Sequence, residues 1–120
     1  MSPPISILVV EDEFLVRMDI VDRLAELGFV VLEASNADEA VAILSGHPEV
    51  RVIFTDIDMP GSMDGLKLAR AVRERWPPIK IIVTSGHRTV NEEDLPSESR
   101  FFPKPYRASE VAQAATEMMS

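Results

Sequence analysis

Along this chain, short apolar runs that stop at acidic or hydroxyl residues alternate with longer stretches whose apolar positions recur every three or four residues. Ile5 to Val10 is continuous, apolar and β-branched, which suits a strand covered on both faces. From Asp12 to Leu27 the period becomes helical: Val16, Ile20, Leu24 and Leu27 form a stripe that Phe14, Met18, Val21 and Ala25 widen. Gly28 stands where a helix C-terminal glycine belongs, and Phe29 to Ala34 reads as a second strand. Asn36 and Glu39 have capping-box spacing, with Asn in place of Ser or Thr, and open a helix running to about Leu44 and ending near Gly46-His47-Pro48. Arg51 to Thr55 predicts a third strand that ends at Asp56. Gly65 to Trp76 predicts a helix with Leu66, Ala69, Val72 and Trp76 on one side, closed by Pro77-Pro78. Ile79 to Val83 is a fourth strand. Arg88 to Glu98 is acidic, carries Pro96 and has only Val90 and Leu95 to bury, so it predicts at most a short helix. Arg100-Phe101-Phe102 is a brief fifth strand, and Arg107 to Met119 a last helix with Val111, Ala114, Ala115 and Met118 inward.

Five strands alternating with helices predict parallel βαβ units, and right-handed crossovers put helices on both faces. The expected class is therefore α/β, a doubly wound five-stranded parallel sheet with a shortened fourth helix. A length of 120 residues predicts one domain, 1–120, able to bury roughly two-thirds of its unfolded surface without staples. The absence of cysteine excludes thiolate catalysis, disulfides and cysteine-ligated zinc. With 12 basic and 20 acidic residues the net charge is −8, which disfavours direct binding to nucleic acid or an anionic membrane. No apolar run is long enough to span a bilayer, and Met1 to Pro4 lacks the basic and apolar regions of a secretory signal. A cytoplasmic protein is the expectation.

In such a sheet, ligands sit beyond the carboxyl ends of the strands, where strand order reverses. Glu11-Asp12 follow the first strand, Asp56 the third, Thr84-Ser85-Gly86 the fourth, and Lys104-Pro105 lie just past the fifth. Three carboxylates brought together repel unless a cation joins them. With oxygen ligands alone the fitting metal is a hard one, Mg²⁺, which leaves positions open for phosphate oxygens. A carboxylate can itself be a nucleophile and form an aspartyl phosphate, and Asp56, at the end of the strand that should be central, is the candidate. Each residue also has an ordinary reading: Glu11-Asp12 favour a helix N-terminus, Asp56 and Asp58-Met59-Pro60-Gly61 suit a turn, Thr84 can simply end a strand, and Lys104 can be solvated. His47 reads as a surface turn residue, His87 as a loop histidine near the site that can modulate access, and Trp76 as a packing residue.

Taken together, these residues resemble the receiver domain of bacterial two-component response regulators, from Ile7 to about Met118. The acidic pair matches Glu11-Asp12, the phosphoacceptor Asp56, the Met-Pro…Asp-Gly loop Met59 to Gly65, the hydroxyl residue Thr84 and the Lys-Pro pair Lys104-Pro105. The resemblance implies flavodoxin-like strand order 2-1-3-4-5. It also implies Mg²⁺ held by Asp12 and Asp56 through side chains, by Glu11 through water and by Asp58 through its backbone carbonyl. Thr84 and Lys104 would contact the phosphoryl group, Phe101 would be the switch aromatic, and the Lys104-Pro105 peptide would be cis. Asp58 and Gly86 would modulate hydrolysis. The implied function is a Mg²⁺-dependent phosphorylation switch that takes a phosphoryl group from a sensor histidine kinase or phosphotransfer protein and signals to a protein target. The stretches Thr84-Ser85-Gly86-His87 and Phe102-Pro103-Lys104-Pro105-Tyr106 are similar to those of free-standing receivers. The chain departs from the pattern in an extra residue after Asp56, in Phe101 lacking a hydroxyl, and in the eroded fourth helix.

Two other functions are open to these residues. Asp56-Ile57-Asp58 matches the Asp-x-Asp pair of haloacid-dehalogenase-like phosphatases, although that pair normally ends the first strand and here ends the third. A degenerate receiver that only binds a partner is the other.

Overall fold

A computed structural model of the chain describes residues 3–59, 64–86 and 90–119. It forms β1 (Ser6–Val10), α1 (Phe14–Glu26), β2 (Val30–Ala34), α2 (Ala37–Gly46), β3 (Val52–Asp56), α3 (Gly65–Arg75), β4 (Lys80–Ser85), a 3₁₀ turn (Glu92–Asp94), β5 (Ser99–Pro103) and α4 (Ala108–Met118). All strand pairs are parallel, in the order β2-β1-β3-β4-β5. The predicted doubly wound sheet and its strand order are therefore both found.

Strand alternation splits the core into two layers. Leu8, Ile53, Ile81 and Val83 point to α2 and α3 and meet Ala40, Leu44, Leu68 and Val72. Ile7, Val9, Phe54 and Ile82 point the other way and meet Ile20 and Leu24 of α1 and Val111 and Ala115 of α4. Every residue of β1 and β3 is buried, whereas the edge strands β2 and β5 are only partly covered. That is why the inner strands read as unbroken apolar runs.

Asn36 Oδ1 accepts the Glu39 N–H at 2.8 Å, but the Glu39 carboxylate reaches back to Ser35, not Asn36, taking its N–H at 2.7 Å. Asp64 caps α3 by accepting the Lys67 N–H at 2.9 Å. Gly28 ends α1 with a left-handed φ of +98°.

The stripe predicted for α1 is too wide. Ile20 and Leu24 are buried and Val16 and Val21 half-buried, but Ala25 is exposed, as are Phe14, Met18 and Leu27. A helix lying on a sheet seats only one narrow stripe, and α1 is apolar around more of its circumference than that. Where a fourth helix would stand, the described residues hold only the 3₁₀ turn. Val90 and Leu95 pack on the α2–α3 layer, and α3 grips the segment by its backbone: Arg70 Nη2 donates to the Asp94 carbonyl at 3.2 Å and Arg73 Nε to that of Ser97 at 2.9 Å.

Candidate functional site

The chain passes from β1 through α1 to β2 on one side and later adds β3, β4 and β5 on the other, so strand order reverses between β1 and β3. The polar residues gather beyond that point. Register places Asp56 beside Thr84. Asp56 and Glu11 are both 3% exposed. The Lys104 ammonium bridges them, with Nζ 2.7 Å from Asp56 Oδ2 and 3.2 Å from Glu11 Oε1. The other Asp56 oxygen accepts the Asp58 N–H at 2.8 Å, and the other Glu11 oxygen accepts the Glu13 N–H at 3.0 Å. Thr84 Oγ1 is buried with no partner among the described residues. An added Cβ at Gly86 would come within 3.3 Å of the Lys104 stem, so glycine leaves room for that side chain to lie inward. Phe101 is paired with Val83 in register and half-buried on the α2–α3 layer. The Lys104–Pro105 peptide is cis, and the Tyr106 ring meets Phe54 edge-on at 5.1 Å.

A family model described as response regulator receiver domain matches residues 7–116. The chain belongs to this receiver family. It is a signalling domain of two-component systems, and that membership sets aside the phosphatase reading of Asp56-Ile57-Asp58. Sensor kinase CckA of Brucella abortus is 36% identical over 99% of the receiver, which spans 13% of that protein's length. The hydrogenase transcriptional regulatory protein HoxA of Cupriavidus necator is 43% identical over 75% of the receiver, or 18% of HoxA. The response regulator receiver protein CpdR of B. abortus is 30% identical, covering 94% of the receiver and 95% of CpdR. Among solved structures, a response regulator receiver protein from Sinorhizobium medicae superposes with a TM-score of 0.88 at 26% identity, covering 97% of the receiver and 94% of that chain.

Receiver domains bind Mg²⁺ at an acidic cluster, and here Glu11, Asp12 and Asp56 offer oxygens that all lie within 4.8 Å of one another. The donors fit such an ion: all are hard oxygens, Asp12 is exposed and can keep waters, and the surplus negative charge lacks a full counter-charge in Lys104 alone. Glu11 is the carboxylate of the cluster whose titration responds most clearly. Burial, together with the nearby Asp56 charge, pushes its carboxyl up to about 7 against the Glu13 hydrogen bond and Lys104. Burial pulls Lys104 down, but its hydrogen bond to Asp56 and the charges of Asp56 and Glu11 outweigh that and leave it raised. Burial, with the Glu11 charge, pushes the Tyr106 hydroxyl up to about 12.

A pH dependence follows for the metal-free receiver. The folded state holds a proton on Glu11 up to about pH 7, while the unfolded chain releases it near 4.5. The native state therefore binds more protons between those values, and stability from this group is full below 4.5 and lost as pH rises through 7. Chemical denaturation without Mg²⁺ should show this loss, and Glu11→Gln should flatten it; an equal slope in that variant would move its source elsewhere.

Other candidates fall differently. His47 pairs with Glu49 at 3.0 Å on the loop before β3, at the end of the sheet away from the site. Trp76 packs on the α2–α3 layer, and the Arg75 guanidinium lies 4.5 Å from its ring centroid. Pro60 to Met63 and His87 lie outside the described residues. Two contacts at the site were not read from pattern, one made by Arg17 and one by Ser85, which the sequence places on the rim without a role. Arg17 Nη1 donates to the Glu11 carbonyl at 2.8 Å, and the Ser85 hydroxyl donates to Asp58 Oδ2 at 2.5 Å. A basic residue one turn into the helix after an acidic pair is the only sequence cue for the first.

Proposed function

We propose that this receiver accepts a phosphoryl group onto Asp56 from the phosphohistidine of a sensor kinase or phosphotransfer protein, in a Mg²⁺-dependent reaction. The observation that carries this reading is a pair of donors around one buried carboxylate: the Lys104 ammonium 2.7 Å from Asp56 Oδ2, and the buried Thr84 hydroxyl beside it without a partner among the described residues. A bare carboxylate uses only the first donor. A phosphoryl group on Asp56 uses both.

Asp12 and Asp56 would hold the ion through side chains, Glu11 through water and Asp58 through its backbone carbonyl. When bound, Mg²⁺ supplies positive charge opposite the phosphoryl oxygens. A carboxylate oxygen of Asp56 bonds to phosphorus as the bond from phosphorus to the histidine nitrogen breaks, its electron pair staying on the ring. Lys104 moves its donors onto a phosphoryl oxygen. Thr84 gives its hydroxyl to another, and Phe101 shifts into the space behind it. These moves bias an existing equilibrium between two surface shapes. Driving it from 1:99 to 99:1 takes roughly 5.5 kcal/mol. Two new charge-assisted contacts at about 1.5–3 kcal/mol each come close to that.

The phosphodonor docks at the rim beside the acidic pair. There α1 opens with Phe14 and Leu15, 62% and 70% exposed, and Met18 stands one turn on at 44%. Apolar side chains beside a reaction centre suit the flank of a helical phosphohistidine protein. We read residues 1–120 as one receiver acting in the cytoplasm on a protein target; no described helix is long and apolar enough to cross a membrane.

The test is labelling with acetyl phosphate, with and without Mg²⁺. Label should require Mg²⁺, saturate near one phosphate per chain and map to Asp56. Label on another residue would move the site. A chain that stays unlabelled where an ordinary receiver is labelled would be a partner-binding module only.

A further inference from the structure

Arg17 stands one turn into α1, and its side chain is only 14% exposed. The guanidinium has two acceptors. Nε lies 3.0 Å from Glu33 Oε1 on β2, and Nη1 donates to the Glu11 carbonyl at 2.8 Å. Its Cζ lies 5.6 Å from the Phe14 ring centroid, so the planar group is held on a third side. The Glu11 carbonyl belongs to the peptide that joins Glu11 to Asp12. The peptide on the other side of Glu11 is held by the sheet edge, where the Glu11 N–H donates to the Ala34 carbonyl at 3.1 Å. Both peptide planes of Glu11 are thus fixed, one by β2 and one by Arg17. Glu11 is buried but Asp12 is exposed, so packing does not settle where the Asp12 carboxylate lies. The direction of the peptide leading to Asp12 matters more there, and Arg17 holds that peptide by its oxygen.

We propose that Arg17 is a positioning residue for the acidic pair, fixing the peptide between Glu11 and Asp12 so that the Asp12 carboxylate stays beside Asp56 for Mg²⁺. This rests on the reading of Glu11, Asp12 and Asp56 as the metal site, where their oxygens lie within 4.8 Å of one another. Arg17 touches neither the ion nor a reacting atom; it acts through the backbone of the residues that do. A hydrogen-bond partner behind a metal ligand is usually worth about 10–100-fold in metal affinity or activity. Arg17 holds a peptide and not the ligating carboxylate, and Asp56 is held independently by Lys104 and the Asp58 N–H. Losing Arg17 should therefore weaken Mg²⁺ binding by less, about threefold to tenfold. The guanidinium is also a cation near an anionic cluster, and in that capacity it opposes Mg²⁺. The two effects have opposite signs, so they can be told apart.

Amide NMR titration with MgCl₂ alone measures the dissociation constant on the folded form, so lost stability does not enter it. Wild type, Arg17→Met, Glu33→Gln and the double variant Arg17→Met/Glu33→Gln are compared. Methionine keeps an apolar stem beside Phe14 and removes the donors. The double variant removes one charge of each sign and leaves the net charge unchanged. Positioning predicts that Arg17→Met and the double variant both bind Mg²⁺ about threefold to tenfold more weakly than wild type. Glu33→Gln, which keeps the bond to the Glu11 carbonyl, should lose less than either. Charge alone predicts tighter binding in Arg17→Met, weaker binding in Glu33→Gln and the wild-type constant in the double variant. Arg17→Lys, with one nitrogen for two acceptors, should fall between wild type and Arg17→Met. The Mg²⁺ concentration that half-saturates labelling by acetyl phosphate should rise by the same factor as the dissociation constant. A double variant within about twofold of wild type, or tighter binding in Arg17→Met, overturns the proposal. A wild-type receiver whose amides do not respond to Mg²⁺ overturns the metal reading and this role with it, whereas normal wild-type binding with an unmoved double variant overturns the role of Arg17 alone.

Discussion

Gly65→Ala is expected to destabilise the receiver by about 3 kcal/mol or more, at the upper end of what overpacking costs. Gly65 is the first residue of α3, directly after the Asp64 cap, and the helix starts there pressed against the strand that carries the site. A Cβ at this position would lie 2.0 Å from the Asp56 carbonyl oxygen, 2.6 Å from Ile57 Cα and 2.7 Å from the Asp56 carbonyl carbon. All three are backbone atoms, so no rotamer change relieves the clash. Either α3 lifts, or the end of β3 bends. If α3 lifts, it takes with it Leu68, Ala69 and Val72, each 0% exposed. If β3 bends, Asp56 leaves its alignment with Thr84 and Lys104. Each route therefore couples lost stability to a damaged site. For a domain between the usual size classes, 1 kcal/mol moves Tm by about 3–6 °C, so a fall of about 10 °C or more should appear in a thermal melt. Labelling at Asp56 should fall in the fraction that stays folded. A Tm within a few degrees of wild type would mean that the close approach is not needed.

Much of this was legible in the sequence, for identifiable reasons. The inner strands were plain because burial on both faces forces an unbroken apolar run, as in Ile7 to Val10 and Val52 to Phe54. The rim was plain because each inner run ends at a polar residue that fold topology then gathers. The shortened fourth helix showed in its composition, since Val90 and Leu95 alone offered burial there. Other features lay beyond pattern reading. Phe14 and Met18 fit a helical stripe by period yet face outward, because period does not say which part of a broadly apolar helix meets the sheet. Leu68, buried at 0%, was passed over beside Leu66 and Ala69 for the same reason. The grip of Arg70 and Arg73 on the segment before β5, and the bond from Ser85 to Asp58, join residues far apart in sequence through single hydrogen bonds. No periodicity encodes such pairs. Gly65 was recognisable as part of a loop motif, but the distance that makes it irreplaceable is set by how α3 lands on β3.

Lys104→Met should move two properties of the site in opposite directions. Methionine keeps most of the side-chain volume beside Gly86 and removes the charge. Lys104 lies 2.7 Å from Asp56 and 3.2 Å from Glu11, and both carboxylates are 3–4% exposed as side chains. Without the ammonium they face each other with Asp12 nearby and no counter-charge. Removing one partner of a fully buried pair costs about 3–5 kcal/mol. The Lys104 side chain is 26% exposed, so solvent screens part of this, and a loss of about 1–3 kcal/mol in the metal-free protein is the expectation. Glu11 absorbs some of the repulsion by keeping its proton to still higher pH, so the variant should regain stability as pH is lowered toward 4.5. Added Mg²⁺ should bind more tightly than in wild type, about tenfold or 1.4 kcal/mol, because it no longer competes with an ammonium for Asp56 and Glu11. Phosphorylation should nevertheless slow by about 10²–10³, the usual effect of losing one charge-stabilising donor from a reaction centre. Mg²⁺ titration by thermal shift and the initial rate of labelling from acetyl phosphate measure the two sides separately. A common damage to the fold lowers both together. Tighter metal binding alongside slower transfer requires that Lys104 act on the phosphoryl group itself, and weaker Mg²⁺ binding or a labelling rate within about threefold of wild type would remove it from that role.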